Sequence, residues 1–219
     1  MIKKLTLSIF LLSVTQLLFA QSAKFGIKGG LNRSFIEGGA LPPGVEGIPR
    51  YGFHVGVFKE YEFNKWFVMP SLLYSVKGFR VNVTPPSTPP GVSSVTGTRT
   101  FNYLELPINL LYNFKINSGK IFVGAGPYMG YLLAASGHNA MTAGGTSTYT
   151  ENKFGIGGSG TYKRIDLGVN FVTGIALKNG LLFNVAAYNG FTNILATTGN
   201  FPPITKNMAL TFSVGYSFL

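Results

Sequence analysis

The sequence predicts an all-β fold: an eight-stranded antiparallel up-and-down transmembrane β-barrel with short periplasmic turns and four long extracellular loops. Three observations predict it. Large apolar residues alternate with small or polar ones over eight segments, short and long connections alternate between those segments, and charged residues are few. Charged residues make up 11% of the 219 residues, whereas about a quarter is usual in soluble domains.

The last segment, NMALTFSVGYSFL at 207–219, shows the alternation most clearly. One face carries Met208, Leu210, Phe212, Val214, Tyr216 and Phe218, and the other carries Ala209, Thr211, Ser213, Gly215 and Ser217. A soluble barrel would expose the small face to water with hardly a charge on it. The reverse arrangement, with bulky residues toward lipid and small or polar residues toward the lumen, is typical of membrane barrels.

The same pattern predicts each strand in turn. The expected strands are 24–32, 51–61, 66–79, 100–114, 120–134, 162–177, 181–191 and 207–219. Their lengths suit a tilted membrane crossing, which needs about 9 to 11 residues. An open edge would leave backbone groups unpaired in hydrocarbon at several kcal/mol each, so the last strand is expected to pair with the first.

The connections predict the orientation. Short turns fall at 62–65, 115–120 and 178–180, whereas long segments rich in Gly, Pro, Ser and Thr fall at 33–50, 81–99, 135–161 and 192–206. Short turns are typical of the periplasmic side and long loops of the outside. An even number of strands then places both termini in the periplasm.

Residues 1–20 predict export. They combine Lys3-Lys4, an apolar stretch and a small Ala20, as a secretory signal peptide does; an N-terminal membrane anchor is the alternative. The expected domains are therefore a signal peptide at 1–20 and a barrel domain at 21–219. After residue 20 no apolar run reaches the roughly 18 residues of a helical span, and the expected location is the outer membrane of a Gram-negative bacterium.

Aromatic residues near the strand ends predict two interfacial girdles. The periplasmic girdle is expected to contain Trp66, Phe67, Tyr112, Phe114, Phe122, Tyr216 and Phe218. The extracellular girdle is expected to contain Tyr51, Phe53, Phe79, Phe101, Tyr103, Tyr131 and Tyr162.

Charged residues on the second face predict a polar network in the lumen. Its expected members are Lys28, His54, Glu105 and Asp166, with Lys77 and Arg164 also pointing inward. Paired carboxylates can also perform acid–base chemistry. An eight-stranded barrel has an interior just wide enough for side chains, however, so a filled lumen is favoured over a wide pore.

No motif predicts a cofactor, a metal site or an enzyme. There is no cysteine and there are two histidines, without the ligand spacing of a zinc site. GIGGSG at 155–160 matches a dinucleotide-binding spacing, but it lacks the strand, helix start and downstream acidic residue that the motif requires. It is interpreted as a loop.

The formal net charge of +11 favours partners at an anionic membrane surface. The basic residues are scattered rather than clustered, which argues against nucleic acid. Basic residues near the extracellular rim are expected to contact lipopolysaccharide phosphates: Arg50, Arg80, Arg99 and Lys163. Other expected partners are outer-membrane lipids, the barrel-insertion machinery that reads a terminal aromatic residue such as Phe218, and other envelope proteins.

Several stretches resemble the PorT-like outer-membrane β-barrel family of Bacteroidota. They are FGIKGGLN (25–32), PSLLYSVKG (70–78), YLELPINLLY (103–112), GAGPYMGYLL (124–133) and YNGFTNI (188–194), in the family's order. The resemblance implies a small eight-stranded barrel without a general catalytic motif. Ser71 stands where the family often has Glu, and Ala187 where an Arg commonly precedes YN, so an interior acid–base pair is expected to be missing.

Three functions remain open from the sequence. The first is a non-enzymatic barrel acting in envelope structure or surface interaction through its extracellular loops, which are the usual place for binding on a rigid scaffold. The second is a narrow or gated channel for small solutes. The third is an outer-membrane enzyme, for which the sequence offers no recognisable catalytic group.

Overall fold

The computed structural model describes residues 23–38, 43–158, 160–196 and 205–218. In order, the strands of this part are β1 (Ala23–Gly38), β2 (Val45–Phe63), β3 (Trp66–Val83), β4 (Val92–Ile116), β5 (Gly119–Ala143), β6 (Thr146–Lys153), β7 (Ile165–Leu177), β8 (Leu181–Gly190) and β9 (Thr205–Phe218). The predicted signal peptide lies outside the described residues. Within them, no helix has the length and apolar character needed to cross a membrane.

The antiparallel up-and-down fold is confirmed, and eight of the nine strands pair in a ring. The order around the wall is β1, β2, β3, β4, β5, β7, β8 and β9. β9 pairs back with β1, from Phe218 opposite Phe25 to Thr205 opposite Gly38. This register gives both strands a partner on each side, as hydrocarbon requires.

The strand β6 lies in a segment that the sequence predicts to be a loop. It forms a hairpin with the end of β5, in which Ser136 pairs with Lys153 and Ala143 with Thr146. The predicted loops are also too long elsewhere, because β2 begins at Val45, β3 ends at Val83 and β4 begins at Val92. Thr and Val favour extended backbone, so these Thr- and Val-containing segments continue the ladders of the barrel.

Beyond the barrel, these extensions form an open sheet at the long-loop end. It is called here the extracellular sheet because the sequence predicts that the long loops lie outside the cell. It consists of residues 45–49, 79–83, 92–98, 136–143 and 146–153, paired in that order. Tyr149 on its last strand is 78% exposed.

The two faces of the barrel wall follow the predicted alternation. Leu31 and Phe171 are 65% and 62% exposed, whereas their neighbours Asn32 and Asn170 are both 0% exposed. Bulky apolar side chains therefore point outward and polar ones point inward in the middle of the wall, because side-chain direction alternates along a strand.

The predicted girdles are wrong for six aromatic side chains. Phe67, Phe79, Phe101, Tyr103, Phe122 and Tyr162 are each 5% exposed or less. They lie inside the barrel, because nearness to a strand end does not decide which way a side chain points.

The buried apolar side chains form two clusters inside the barrel. The short-turn cluster is built around Phe58, Phe67, Met69, Leu111 and Phe122, and the long-loop cluster around Phe79, Phe101, Tyr103, Leu132 and Tyr162.

Lumen-facing glycines make room for three of the buried rings. Gly26 lies opposite Phe58, Gly168 opposite Tyr128 and Gly174 opposite Phe122. A Cβ atom at Gly168 or Gly174 would lie 2.5 Å from the facing ring, whereas carbon atoms pack at about 3.5–4.0 Å. Each ring therefore occupies the space that a larger residue would need.

Candidate functional site

The middle of the lumen holds a buried polar layer between the two apolar clusters. Along β4, Tyr103 belongs to the long-loop cluster, Glu105 to the polar layer and Leu111 to the short-turn cluster. The structure places all four of the residues predicted to form the lumen network in this layer, each 5% exposed or less: Lys28, His54, Glu105 and Asp166.

Lys77 and Glu105 form a buried ion pair in this layer. Nζ of Lys77 contacts Oε1 of Glu105, and both side chains are at most 2% exposed. The ammonium also lies 4.4 Å from the ring centroid of Tyr188 and 5.2 Å from that of Tyr128. Because an aromatic face attracts a cation, the lysine charge is balanced by one carboxylate and two rings.

His54 on β2 forms side-chain hydrogen bonds to β1 and β9, and Asn32 extends this network to β3. Its Nδ1 lies 2.7 Å from Oδ1 of Asn32, and its Nε2 lies 2.8 Å from Oγ of Ser213. Nδ2 of Asn32 donates to Oγ of Ser75 and to two backbone carbonyls, so Oδ1 of Asn32 is the acceptor. Nδ1 of His54 therefore donates, and Nε2 of the neutral ring accepts from the Ser213 hydroxyl.

Ser213, His54 and Asn32 thus have the connectivity of a nucleophile, a base and the group that orients the base. The three residues are 2%, 4% and 0% exposed. The cavity beside them, which Lys28 also lines, measures about 10 Å³. That volume is close to the minimum for one water molecule, so a substrate cannot reach the hydroxyl in this conformation.

Asp166 joins the polar layer to the long-loop cluster. Its Oδ2 accepts hydrogen bonds from Nδ2 of Asn207 at 2.9 Å and from the Tyr128 hydroxyl at 3.4 Å. Nδ2 of Asn207 also donates to the Tyr103 hydroxyl at 3.0 Å. Asp166 and Glu105 therefore have separate partners, an arrangement that holds the wall together across the lumen.

The four basic rim residues differ in their exposure. Arg80 and Lys163 are exposed, whereas Arg50 and Arg99 are partly buried. Nη1 of Arg99 donates to Oδ1 of Asn139 at 2.8 Å, and its guanidinium lies 5.0 Å from the ring centroid of Phe154. Arg50 donates to the Lys77 carbonyl at 3.5 Å.

Two other positions expected to face the lumen, those of Arg164 and Ala187, need correction. Arg164 does not point into the lumen: it is exposed, and its guanidinium lies 5.3 Å from the ring centroid of the exposed Tyr131. Ser71 faces the lumen and is 3% exposed, but Ala187 is exposed on the outer face. Side chains at these two positions lie on opposite sides of the wall and cannot form an interior pair.

A second polar group lies at the short-turn end of the barrel. Nζ of Lys120 donates to Oε2 of Glu60 at 2.8 Å and to Oε1 of Glu62 at 2.7 Å. On β2 the exposed Lys59 interrupts the outward apolar residues, and only the aromatic Tyr61 and Phe63 follow it on that face. Aromatic residues are typical of the membrane interface, so these carboxylates lie at the edge of the apolar band.

The pKa values of Lys120 and Glu62 are both shifted, and in each case burial opposes the effect of the oppositely charged partner. Burial disfavours the charge of Lys120, yet Glu60 and Glu62 raise its pKa above the ordinary 10.5. Burial likewise favours the neutral form of Glu62, but the hydrogen bond and charge of Lys120 lower its pKa below the ordinary 4.5. Lys120 and Glu62 are therefore both charged at neutral pH.

The profile of the family described as "Outer membrane protein beta-barrel domain" matches residues 19–196. The chain belongs to this family. The protein is therefore an outer-membrane β-barrel of a Gram-negative bacterium, as the sequence predicted. A comparison with curated proteins found no match.

Several solved outer-membrane barrels are similar to this one in fold. The attachment invasion locus protein Ail of Yersinia pestis is 14% identical with a TM-score of 0.41, covering 90% of this chain and 99% of its own. Neisserial surface protein A is 13% identical with a TM-score of 0.39, covering 90% and 100%. OprG from Pseudomonas aeruginosa is 16% identical with a TM-score of 0.37, covering 90% and 97%. These likenesses concern the fold alone.

Sequence reasoning missed several members of the outer-membrane barrel's polar layer. The missed residues are Asn32, Tyr128, Tyr188, Asn207 and Ser213. All of them stand at lumen-facing positions in the alternation of their strands, and this alternation is the sequence pattern that could have identified them. What the parity does not give is the height of each residue in the closed barrel, and height decides which of them meet.

Proposed function

We propose that this outer-membrane barrel has no catalytic activity and acts in envelope structure or surface interaction through its extracellular end. The observation that carries the proposal is the extracellular sheet, which projects beyond a lumen occupied by two apolar clusters and an ion pair. Loops and strand ends on a rigid scaffold are the usual place for binding. We also propose that the chain belongs to the PorT-like family, on the motifs at 25–32, 70–78 and 103–112. Residues 1–20 support cleavage of a signal peptide after Ala20.

Lipopolysaccharide is the proposed partner in the outer leaflet. Arg50, Arg80, Arg99 and Lys163 are the candidate contacts, and the exposure of Arg80 and Lys163 supports these two most. The test is the thermal stabilisation that added lipopolysaccharide gives to barrels in neutral-lipid vesicles. An Arg80→Gln/Lys163→Gln variant is expected to lose part of it, and an Arg50→Gln/Arg99→Gln variant is expected to lose less. Equal stabilisation of wild type and the first variant would contradict the contact.

Photo-crosslinking in intact cells tests the surface role. A photoreactive residue in place of Tyr149 is expected to give adducts with envelope macromolecules. The matched control replaces Phe171, which is 62% exposed on the lipid-facing wall, and is expected to give lipid adducts. If both positions give only lipid adducts, the extracellular sheet is not a contact surface.

A narrow or gated channel is the second candidate, favoured by an open cavity of about 520 Å³ at the short-turn end. Planar-bilayer recording separates the two functions. The first proposal expects no stepwise current from the purified barrel under conditions in which a porin control conducts. Stepwise currents of defined size would overturn it in favour of the channel.

The enzyme alternative is tested at Ser213. If the Ser213–His54–Asn32 connectivity were catalytic, Ser213→Ala would abolish a lipid or peptide hydrolysis that the wild type performs. We expect no such hydrolysis by the wild type, because the hydroxyl is buried. Hydrolysis that Ser213→Ala removes would overturn the non-enzymatic proposal.

A further inference from the structure

The open cavity at the short-turn end, called here the short-turn mouth, has the size of a ligand site. Its volume is about 520 Å³, within the range of about 300–1,000 Å³ common for small-molecule sites. The cavity is lined by the ends of several strands and by two turns. Charged side chains in it come from four lysines and two glutamates: Lys24, Lys115, Lys120, Lys178, Glu60 and Glu62.

The carboxylates of the mouth are already neutralised by two of the lysines. Lys120 binds Glu60 and Glu62 and lies 4.1 Å from the ring centroid of Phe67, where it forms the floor of the mouth. Lys24 lies 3.9 Å from Glu62. These groups leave no carboxylate to bind a cation.

The other two lysines make the mouth positive overall, because four lysines stand against two glutamates. Lys115 and Lys178 are exposed, and within the described residues neither forms an ion pair. An ammonium group has three donors and no acceptor. The mouth therefore offers positive charge and hydrogen-bond donors to an acceptor-rich ligand.

Two further features point to an organic anion. Ser217 lines the mouth and is 8% exposed, yet its Oγ has no hydrogen-bond partner in the described structure. Ile116, Ala176 and Leu177 add aliphatic surface to the same cavity. A ligand that uses all of these groups carries carboxylates on an aliphatic framework.

We propose that the short-turn mouth is a periplasmic binding site for an acidic peptide. Lys115 and Lys178 bind its carboxylates, Ser217 supplies a hydroxyl, and Ile116 and Leu177 contact its carbon chain. Unlike the proposed surface role, this site acts at the opposite end of the barrel, so either can fail without the other.

The test measures binding of fluorescent tetraglutamate to the purified barrel in nanodiscs of neutral phosphatidylcholine. The wild type is expected to bind it, with affinity that falls as salt is added. Lys115→Gln/Lys178→Gln is expected to weaken binding at least tenfold. The matched control, Lys59→Gln/Lys65→Gln, removes two exposed lysines at the same end that do not line the mouth, and is expected to bind like the wild type.

Two competitors and the control variant show which results would overturn the proposed binding site. Tetraglutamine is expected not to displace the probe, and inorganic phosphate is expected to displace it only at far higher concentration. Equal displacement by phosphate would show simple counter-ion binding and overturn the proposal. Displacement by tetraglutamine, or an equal loss of binding in the control variant, would also overturn it.

Discussion

Removing the lysine from the buried Lys77–Glu105 pair is expected to destabilise the barrel strongly. Lys77→Met leaves the carboxylate of Glu105 2% exposed without the ammonium that it contacts, and breaking a buried pair in this way costs about 3–5 kcal/mol. At an m value of about 2 kcal/mol per molar urea, the unfolding midpoint falls by about 1.5–2.5 M.

Two related variants separate the charge from the packing. Glu105→Leu is expected to cost less than Lys77→Met, because the remaining ammonium still lies 4.4 Å and 5.2 Å from the ring centroids of Tyr188 and Tyr128. Such contacts contribute about 0.5–2 kcal/mol each. The double variant Lys77→Met/Glu105→Leu carries no buried charge from this pair and is expected to lie near the wild type, since apolar replacement of a whole buried pair is often neutral.

The assay is urea unfolding in neutral-lipid vesicles, followed by heat-modifiable migration on gels. Folded and unfolded barrels migrate differently, so each urea concentration gives a folded fraction. The reasoning is refuted if Lys77→Met leaves the midpoint unchanged. It is equally refuted if the double variant loses as much stability as Lys77→Met, because the loss would then come from packing.

Three other changes are expected to have measurable effects. Lys120→Met leaves Glu60 buried without its cation, at about 3–5 kcal/mol in the same assay, whereas Lys65→Met, in an exposed turn, should cost little. Because the pKa of Glu62 is lowered, its contribution to barrel stability is present above its ordinary pKa of 4.5 and is lost as the pH falls through the folded value. Because the pKa of Lys120 is raised, its contribution is present below 10.5 and is lost as the pH rises through the folded value. A wild-type midpoint that does not fall at either extreme would contradict both assignments. Gly174→Ala places a Cβ against the Phe183 carbonyl oxygen and 2.5 Å from the Phe122 ring, so it should displace both and cost about 1–3 kcal/mol through overpacking; an unchanged midpoint would show that neither is confined. Phe218→Ala, which removes a ring stacked 5.9 Å from Phe25, should lower outer-membrane yield more than deletion of Leu219, and equal yields would reject a role for the aromatic residue in assembly.

The buried aromatic residues show where sequence reasoning stopped. Phe67 and Phe101 lie near strand ends and fit the composition of an interfacial girdle, but both are 0% exposed inside the barrel. The alternation along their strands places both residues on the lumen face, whereas bulky side chains were expected on the lipid face. The structure resolves the conflict through neighbours on adjacent strands: the small Ala135 faces Phe101, and Phe67 packs edge-on against Phe122, which Gly174 faces. Those pairings depend on register.

The hairpin of β5 and β6 shows the same limit in a loop. TSTYTENK at 146–153 reads as low-complexity sequence, but it pairs with Ser136–Ala143 as a strand. Thr favours extended structure only modestly. The neighbouring strand, already held by the barrel, supplies the hydrogen-bond partners that decide the outcome.

The sequence by itself determined the eight strands of the wall, the alternation of their two faces, the membrane setting and the charged residues at the centre of the lumen. That information is local, because lipid and lumen select opposite residue types at successive positions of every strand. Only the tertiary structure decided which lumen residues meet. His54 and Ser213 are 159 positions apart and Tyr103 and Asn207 are 104 apart. Their heights coincide only because ring closure fixes the strand register, and no local pattern records that register.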